Sequence, residues 1–223
     1  MPVALEARPD EVPPESAAAD LLAFVGADLD RLLTRAATTT PADVHRALAA
    51  PHRGLDELAV MLSPAAADHL EDLAAAAHRR TIRRFGRVVR LFAPLYLSNE
   101  CASTCTYCGF SAGNDVVRRT LTPAEAAVEA RTLKERGFRH VLLVSGEHGR
   151  IVSRDYLADC VRAVAAEVPA VSIEVQVWDT ATYRRLVDAG CEGLVVYQET
   201  YDRKTYAASH LKGKKRNYEW RLA

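Results

Sequence analysis

The sequence predicts an α/β protein in which a helical N-terminal region precedes four βα units of a parallel sheet. Two observations carry this. Near residue 85 the apolar pattern changes from three- and four-residue steps to short apolar runs. Strand-like and helix-like segments then alternate four times over about 120 residues, the repeat length of βα units. Composition fits a folded, soluble chain: 49% of the 223 residues are apolar and 26% are charged. No apolar run reaches the roughly 18 residues of a membrane span, so no membrane partner is expected. Lys plus Arg and Asp plus Glu number 29 each, which argues against a general attraction for nucleic acid.

The first segment, residues 1–15, has acidic residues and prolines without a basic-then-apolar leader pattern; it reads as a disordered lead-in to a cytoplasmic protein. Residues 16–86 read as a helical region. Leu21, Leu22, Val25, Leu29, Leu32 and Leu33 fall on one helical face. Thr40-Pro41 places an N-cap before a proline at the first helical position, and Leu55 to Met61 forms a further segment. Ser63-Pro64 is expected to cap a longer helix stopped by Gly86. Its basic C-terminal clusters, Arg79-Arg80 and Arg83-Arg84, suit the helix dipole better than a nucleic-acid patch.

Residues 87–223 carry the βα pattern. Val88 to Phe92 and Leu95 to Leu97 are expected to form a first strand region broken by Pro94. Thr122-Pro123-Ala124-Glu125 is a capping box for a helix that stops at Gly137. A short apolar strand follows at Val141–Val144, then a helix over 153–168 and a strand over Val171–Val177. Asp179 caps a helix ending at Gly190, Gly193 to Glu199 reads as a fourth strand, and Asp202 to Leu211 as a last helix. Apolar strands with polar C-terminal ends suit a barrel with its site at that rim, where side chains such as Leu143 and Val195 would face inward. Four units do not close such a barrel.

Three of the five cysteines, Cys101, Cys105 and Cys108, lie within eight residues at CxxxCxxC spacing, directly after the first strand. Three thiolates this close suit one compact metal centre. Iron–sulfur clusters commonly take four cysteines, so three leave one iron open to another ligand. A structural zinc would need a fourth ligand, such as His140 or His148, at an unsuitable spacing. Cys160 and Cys191 read as core residues. Arg118 and Arg119, after the loop, read as partners for helix acids.

At this point the sequence resembles the radical S-adenosylmethionine (SAM) enzymes, whose hallmark is CxxxCxΦC with Φ aromatic; Tyr107 fills Φ. The resemblance implies a partial (βα) barrel with four of six expected units, and a 4Fe–4S cluster on Cys101, Cys105 and Cys108 whose open iron is chelated by SAM. Tyr107 would lie near the adenine.

A narrower resemblance, to the 2-iminoacetate synthases of thiamine thiazole synthesis, runs over about residues 85–222. It rests on PLYLSN (94–99), YCGF (107–110), HVLLVSGEH (140–148), IEVQ (173–176), VYQETY (196–201) and HLKGKK (210–215). The tyrosine lyase of hydrogenase-cofactor maturation shares part of this pattern. Residue by residue, Ser145, Gly146 and Glu147 match a GGE-like turn that receives the SAM amino group. Glu174 and Gln176 would point into the barrel mouth, and Gln198 or Glu199 would face the SAM ribose or the substrate. No catalytic side chain beyond the cluster and SAM site is implied. The implied reaction cleaves the Cα–Cβ bond of L-tyrosine to 2-iminoacetate and p-cresol. A flavodoxin- or ferredoxin-type reductant would supply the electron, and a thiazole synthase would receive the product. The sequence departs from this pattern at Val177-Trp178, where proline usually follows the glutamine, and in lacking two further strands. A truncated, inactive iron–sulfur-binding fragment is therefore the alternative expectation.

Overall fold

The computed structural model describes residues 29–222, which form two compact units divided at residues 89 and 90. The first holds helix α1 (residues 29–37), α2 (Pro41–Ala49), α3 (Leu55–Met61), a 3₁₀ segment (Pro64–His69) and α4 (Leu70–Phe85). Residues 21–28 of the expected first helix lie outside the described residues. Thr40 caps α2 reciprocally. Its hydroxyl accepts from the Asp43 amide at 3.3 Å, and the Asp43 carboxylate accepts from the Thr40 amide at 2.9 Å. Val44, Ala47, Val60 and Ala66 form a small core. The longer helix after Ser63 differs from expectation: the Ser63 hydroxyl donates back to the Val60 carbonyl at 2.7 Å instead of capping, and a 6-residue 3₁₀ segment precedes α4.

The second unit contains a four-stranded, all-parallel sheet of β1 (Ala93–Ser98), β3 (His140–Ser145), β4 (Ala170–Glu174) and β5 (Gly193–Leu194), in the order β1-β3-β4-β5. Between β1 and β3 lie β2 (Thr104–Cys105) and α5 (Pro123–Glu135). Helices α6 (Arg154–Ala165) and α7 (Thr180–Asp188) follow β3 and β4. After β5 come α8 (Arg203–Ser209), β6 (His210–Lys212), a 3₁₀ turn (Lys214–Arg216) and α9 (Tyr218–Leu222). The expected caps Thr122 and Asp179, and Ser153 and Asp202 at the expected helix starts, each accept a hydrogen bond from a first-turn amide. Gly86, Gly137 and Gly190 follow their helices with positive φ.

Register sorts the side chains. Leu95, Leu143 and Ile173 lie in one row across three strands, on the face covered by Leu157, Val161 and Val164 of α6. Leu143 therefore packs against helices and does not face the barrel interior as expected. Each such aliphatic side chain contributes roughly 1.5–3 kcal/mol on burial. On the other face the rows Leu142–Ser172–Gly193 and Tyr96–Val144–Glu174 become more polar toward the C-terminal rim. β1 is an edge strand, which is why Pro94 is tolerated within it; residues 88–92 stay outside the sheet.

Two strands are shorter than expected. β4 ends at Glu174, so the strict alternation does not reach Gln176. β5 is ordered only at Gly193–Leu194, with the Val195 amide donating to the Ile173 carbonyl at 2.9 Å. Its one neighbour stops there, so residues 196–199 have no ladder to extend. Glu199 then adopts φ 73°, in the left-handed region. The expected helix to Leu211 also stops early, and His210–Lys212 pairs antiparallel with Thr104–Cys105.

Candidate functional site

The cysteine loop begins where β1 ends and is tied to the end of β3 by main-chain bonds. The Gly146 amide donates to the Ser98 carbonyl at 2.9 Å, and the Ala102 amide donates to the Glu147 carbonyl at 2.8 Å. Gly146 is required by close approach: a Cβ there would stand 2.3 Å from the Glu100 carbonyl oxygen and 3.1 Å from Cys101 Cβ. The predicted Ser145-Gly146-Glu147 turn and the predicted cysteines thus share one rim. The base of the loop is closed by Asn99, whose side chain donates to the Val117 carbonyl at 2.8 Å and accepts from the Arg119 amide at 2.7 Å.

The three thiols lie within electrostatic reach of one another. Burial pushes Cys105 up to about 11; the Lys215 ammonium opposes this, and the neighbouring Cys101 and Cys108 add to it. Burial likewise raises Cys101. Any metal must displace thiol protons, and a bound cationic centre would relieve the mutual repulsion. Among the described residues no group of three or more His, Cys, Asp and Glu side chains converges on a single metal ion. A cuboidal cluster makes a different demand, one thiolate for each of three irons. The imidazoles weighed as fourth zinc ligands are engaged elsewhere: His140 Nε2 bonds the Ser172 hydroxyl at 2.7 Å, and His148 Nδ1 accepts from the Ile151 amide at 3.4 Å. Cys160 and Cys191 are buried, as expected of core residues.

Around this loop the chain gathers charged groups that sequence reasoning passed over. His210 is fully buried, and its Nδ1 faces the Tyr206 carbonyl at 2.8 Å. That carbonyl can only accept, so the proton sits on Nδ1 and Nε2 accepts from the Tyr107 hydroxyl at 2.7 Å. Tyr107 is 54% exposed as a residue, yet its hydroxyl is held inward on a buried imidazole. Lys215 Nζ pairs with Glu199 at 2.6 Å. Burial pushes Glu199 up, but the Lys215 hydrogen bond and charge outweigh it and leave the carboxyl lowered. Glu174 is raised by burial and then by the Glu199 charge, so these two predicted residues lie near each other. Gln176 does not reach the mouth freely; its amide donates to the Val152 carbonyl at 3.1 Å.

Glu147 forms a buried ion pair with Arg221 at 2.8 Å, with side chains 13% and 5% exposed. Arg221 also donates to the Tyr197 carbonyl from Nε at 3.1 Å and Nη2 at 2.9 Å. Three predicted residues hold buried polar atoms without a protein partner: Ser145 Oγ, Glu147 Oε2 and Gln198 Nε2. Such atoms are costly unless a ligand or water satisfies them. A polar cofactor with an ammonium and hydroxyl groups fits this donor and acceptor set. Arg118 departs from expectation. It pairs with no helix acid and donates to four loop carbonyls, whereas Arg119 does reach Glu125, at 3.4 Å.

The family described as the Radical SAM superfamily matches residues 95–223. The 2-iminoacetate synthase of Escherichia coli (strain K12) is 46% identical over 195 residues, 87% of this chain and 52% of that protein. The 3-methylornithine synthase of Methanosarcina barkeri is 31% identical over 153 residues, 68% of this chain and 44% of that protein. A crystal structure of HydG, a maturase of the FeFe-hydrogenase, superposes with a TM-score of 0.80 at 27% identity, covering 88% of this chain and 46% of that one. The chain spans about half the length of the curated relatives it matches.

Proposed function

Because the chain belongs to the radical SAM superfamily, we propose that residues 87–223 form part of a lyase site that cleaves the Cα–Cβ bond of tyrosine to 2-iminoacetate and p-cresol. The described part of the N-terminal region, residues 29–86, then serves as a helical extension. The observation that carries this reading is the direct bonding of the cysteine loop to the Ser145–Glu147 turn, which gives a cluster and a SAM-like ligand one shared rim. Cys101, Cys105 and Cys108 would hold a 4Fe–4S cluster. Such a cluster with SAM bound would supply the one-electron chemistry of the reaction.

The chain's own part is binding and orientation. Glu147 has one oxygen on Arg221 and the other without a partner, so it can accept from the ammonium of an amino-acid moiety. Arg221, fixed by the Tyr197 carbonyl, brings the complementary charge for the carboxylate. The Gln198 amide offers a donor and the Ser145 hydroxyl a donor or acceptor to ligand hydroxyls. Glu174, Glu199 and Lys215 give the neighbouring rim a charged lining suited to a polar substrate.

Identity of 46% to a 2-iminoacetate synthase, against 27% to HydG, favours the thiamine-type lyase over the hydrogenase-maturation one. A flavodoxin- or ferredoxin-type reductant, a thiazole synthase acceptor and a cytoplasmic location belong to this reading. Among the described residues, no helix is long and apolar enough to cross a membrane. The test is anaerobic reconstitution with iron and sulfide, then incubation with SAM, reductant and tyrosine. Formation of 5′-deoxyadenosine and p-cresol is expected. Iron uptake without either product would leave only an iron–sulfur-binding chain, and 5′-deoxyadenosine without p-cresol would point to another substrate.

A further inference from the structure

Arg118 lies outside the cysteine motif, yet its side chain joins both ends of the loop that carries it. Nη1 donates to the Asn99 carbonyl at 2.6 Å and the Phe110 carbonyl at 2.8 Å. Nη2 donates to the Ser111 carbonyl at 2.8 Å and the Asn114 carbonyl at 3.2 Å. The two terminal nitrogens of a guanidinium carry four N–H groups, and four carbonyls take them. Asn99 stands two residues before Cys101 and Phe110 two residues after Cys108, so one planar group fixes the chain on both sides of all three thiols. Asn114 works on the same stretch, its amide donating to the Cys108 carbonyl at 3.2 Å and the Gly109 carbonyl at 3.1 Å.

The cysteine loop is otherwise short of regular structure. Between β1 and α5 its regular pairing is limited to the two-residue β2 against β6 and a single antiparallel bridge of Thr120 to Ser98. Four charge-assisted bonds are therefore a large share of what gives it a single shape. A lysine cannot replace this fork, because a tetrahedral ammonium has three donors and no plane to spread them along.

We propose that Arg118 is a positioning residue for the iron–sulfur cluster, setting the spacing of Cys101, Cys105 and Cys108 before metal arrives and holding the loop closed around it afterwards. This rests on the reading of the loop as a cluster site. The guanidinium bonds main-chain carbonyls, so it acts through the backbone, as outer-shell partners of metal ligands do.

The experiment compares the full chain with Arg118→Lys, Arg118→Gln and Arg119→Gln after anaerobic loading with iron and sulfide. Three readouts are taken: iron release to an excess of chelator, the EPR spectrum of the reduced cluster, and the melting of the metal-free chain. Arg118→Lys and Arg118→Gln are expected to lose iron about ten-fold faster or more. Their EPR signals should broaden as the thiol spacing varies, while their metal-free melting stays cooperative. Arg119→Gln removes a neighbouring charge that meets only Glu125 among its side-chain partners, and should behave as the parent chain. Parent-like iron release and EPR in both Arg118 variants would overturn the proposal. So would full rescue by lysine, which would reduce the role to charge, or loss of cooperative melting, which would make Arg118 a residue of the fold. If the parent chain takes up no iron with sulfide, the cluster reading itself fails, and that outcome is distinct from the other three.

Discussion

Above β1 and β3 the rim is held by main-chain bonds and by a glycine that lets two backbones meet, whereas beyond β4 and β5 it is held by side-chain charges. On the first side Gly146, Ala102, Ser98 and Glu147 exchange backbone hydrogen bonds, and Arg118 adds four more to carbonyls. On the second side the ladder stops at Leu194 and Glu199 sits at positive φ. The chain is then anchored by Lys215 on Glu199 and by Arg221 on Glu147 and the Tyr197 carbonyl. The difference separates two tasks. A cluster needs fixed points of attachment, which backbone supplies, while a polar ligand needs unspent charge and hydrogen-bonding capacity, which side chains supply.

The largest effect should fall on the cysteines of the first side. Cys105→Ala is expected to reduce reconstituted iron from about four per chain to near zero. Cys160→Ala, which removes a buried sulfur from the α6 face, should leave iron unchanged and cost only core stability. Equal iron loss in the two variants, read by iron and sulfide analysis, would sink the ligand assignment.

On the second side, Arg221→Met leaves the Glu147 carboxylate buried without its partner. Removing one member of a buried pair typically costs about 3–5 kcal/mol, so denaturant unfolding of the metal-free chain should shift by that order. The double variant with Glu147→Gln should recover much of the loss. If Arg221→Met unfolds like the parent, the pair is not holding this rim.

Two glycines set a backbone obstacle at the rim against a side-chain obstacle at the start of β5. Gly146→Ala would drive a methyl group into the Glu100 carbonyl at 2.3 Å, and the backbone there cannot rotate away. A destabilisation of about 1–3 kcal/mol is expected, with a parallel loss of iron retention because the cysteine loop must move. Gly193→Ala meets the Ser172 hydroxyl, also at 2.3 Å, but that oxygen can turn aside at the expense of its bond to His140. A cost near 1 kcal/mol is expected there, with no effect on iron. Reversed costs would contradict the distinction between a fixed backbone obstacle at Gly146 and a movable side chain at Gly193.

What the sequence made legible follows the same division. Caps such as Thr122 and Asp179 act within one helical turn, so their signals are local and these helices begin where expected. The cysteine spacing is equally local. The length of β5 was not legible, because a strand extends only as far as its neighbour does, and β4 ends at Glu174. Arg221 pairs with Glu147 across 74 positions, and Arg118 serves carbonyls that carry no sequence signal. Lys215 and His210 stood within a recognised segment, but their roles depend on β6 folding back on β2, which no periodicity announces.

The smallest expected effect lies at the opposite end of the sheet and tests whether the rim alone responds to pH. His140 opens β3, with Nε2 on the Ser172 hydroxyl and Nδ1 buried without a partner. Burial lowers its pKa below the ordinary 6.5; Glu192 opposes the shift, and Arg90 adds to it. Arg90 and Glu192 pair with each other at 2.6 Å, and the Phe92 ring lies 5.7 Å from the imidazole. The folded chain therefore binds fewer protons at this site than the unfolded chain near and below pH 6.5. Stability from His140 is fully present above the unfolded pKa and is lost as pH falls through the folded one. One site can change the slope by at most one proton, about 1.4 kcal/mol per pH unit. His210 is lowered by burial too and acts in the same direction, so His140→Gln should flatten the profile between pH 7 and 5 without abolishing it. Urea midpoints of parent and variant across that range measure the difference. Parallel profiles would mean that the burial of His140 does not tie the stability of this unit to pH.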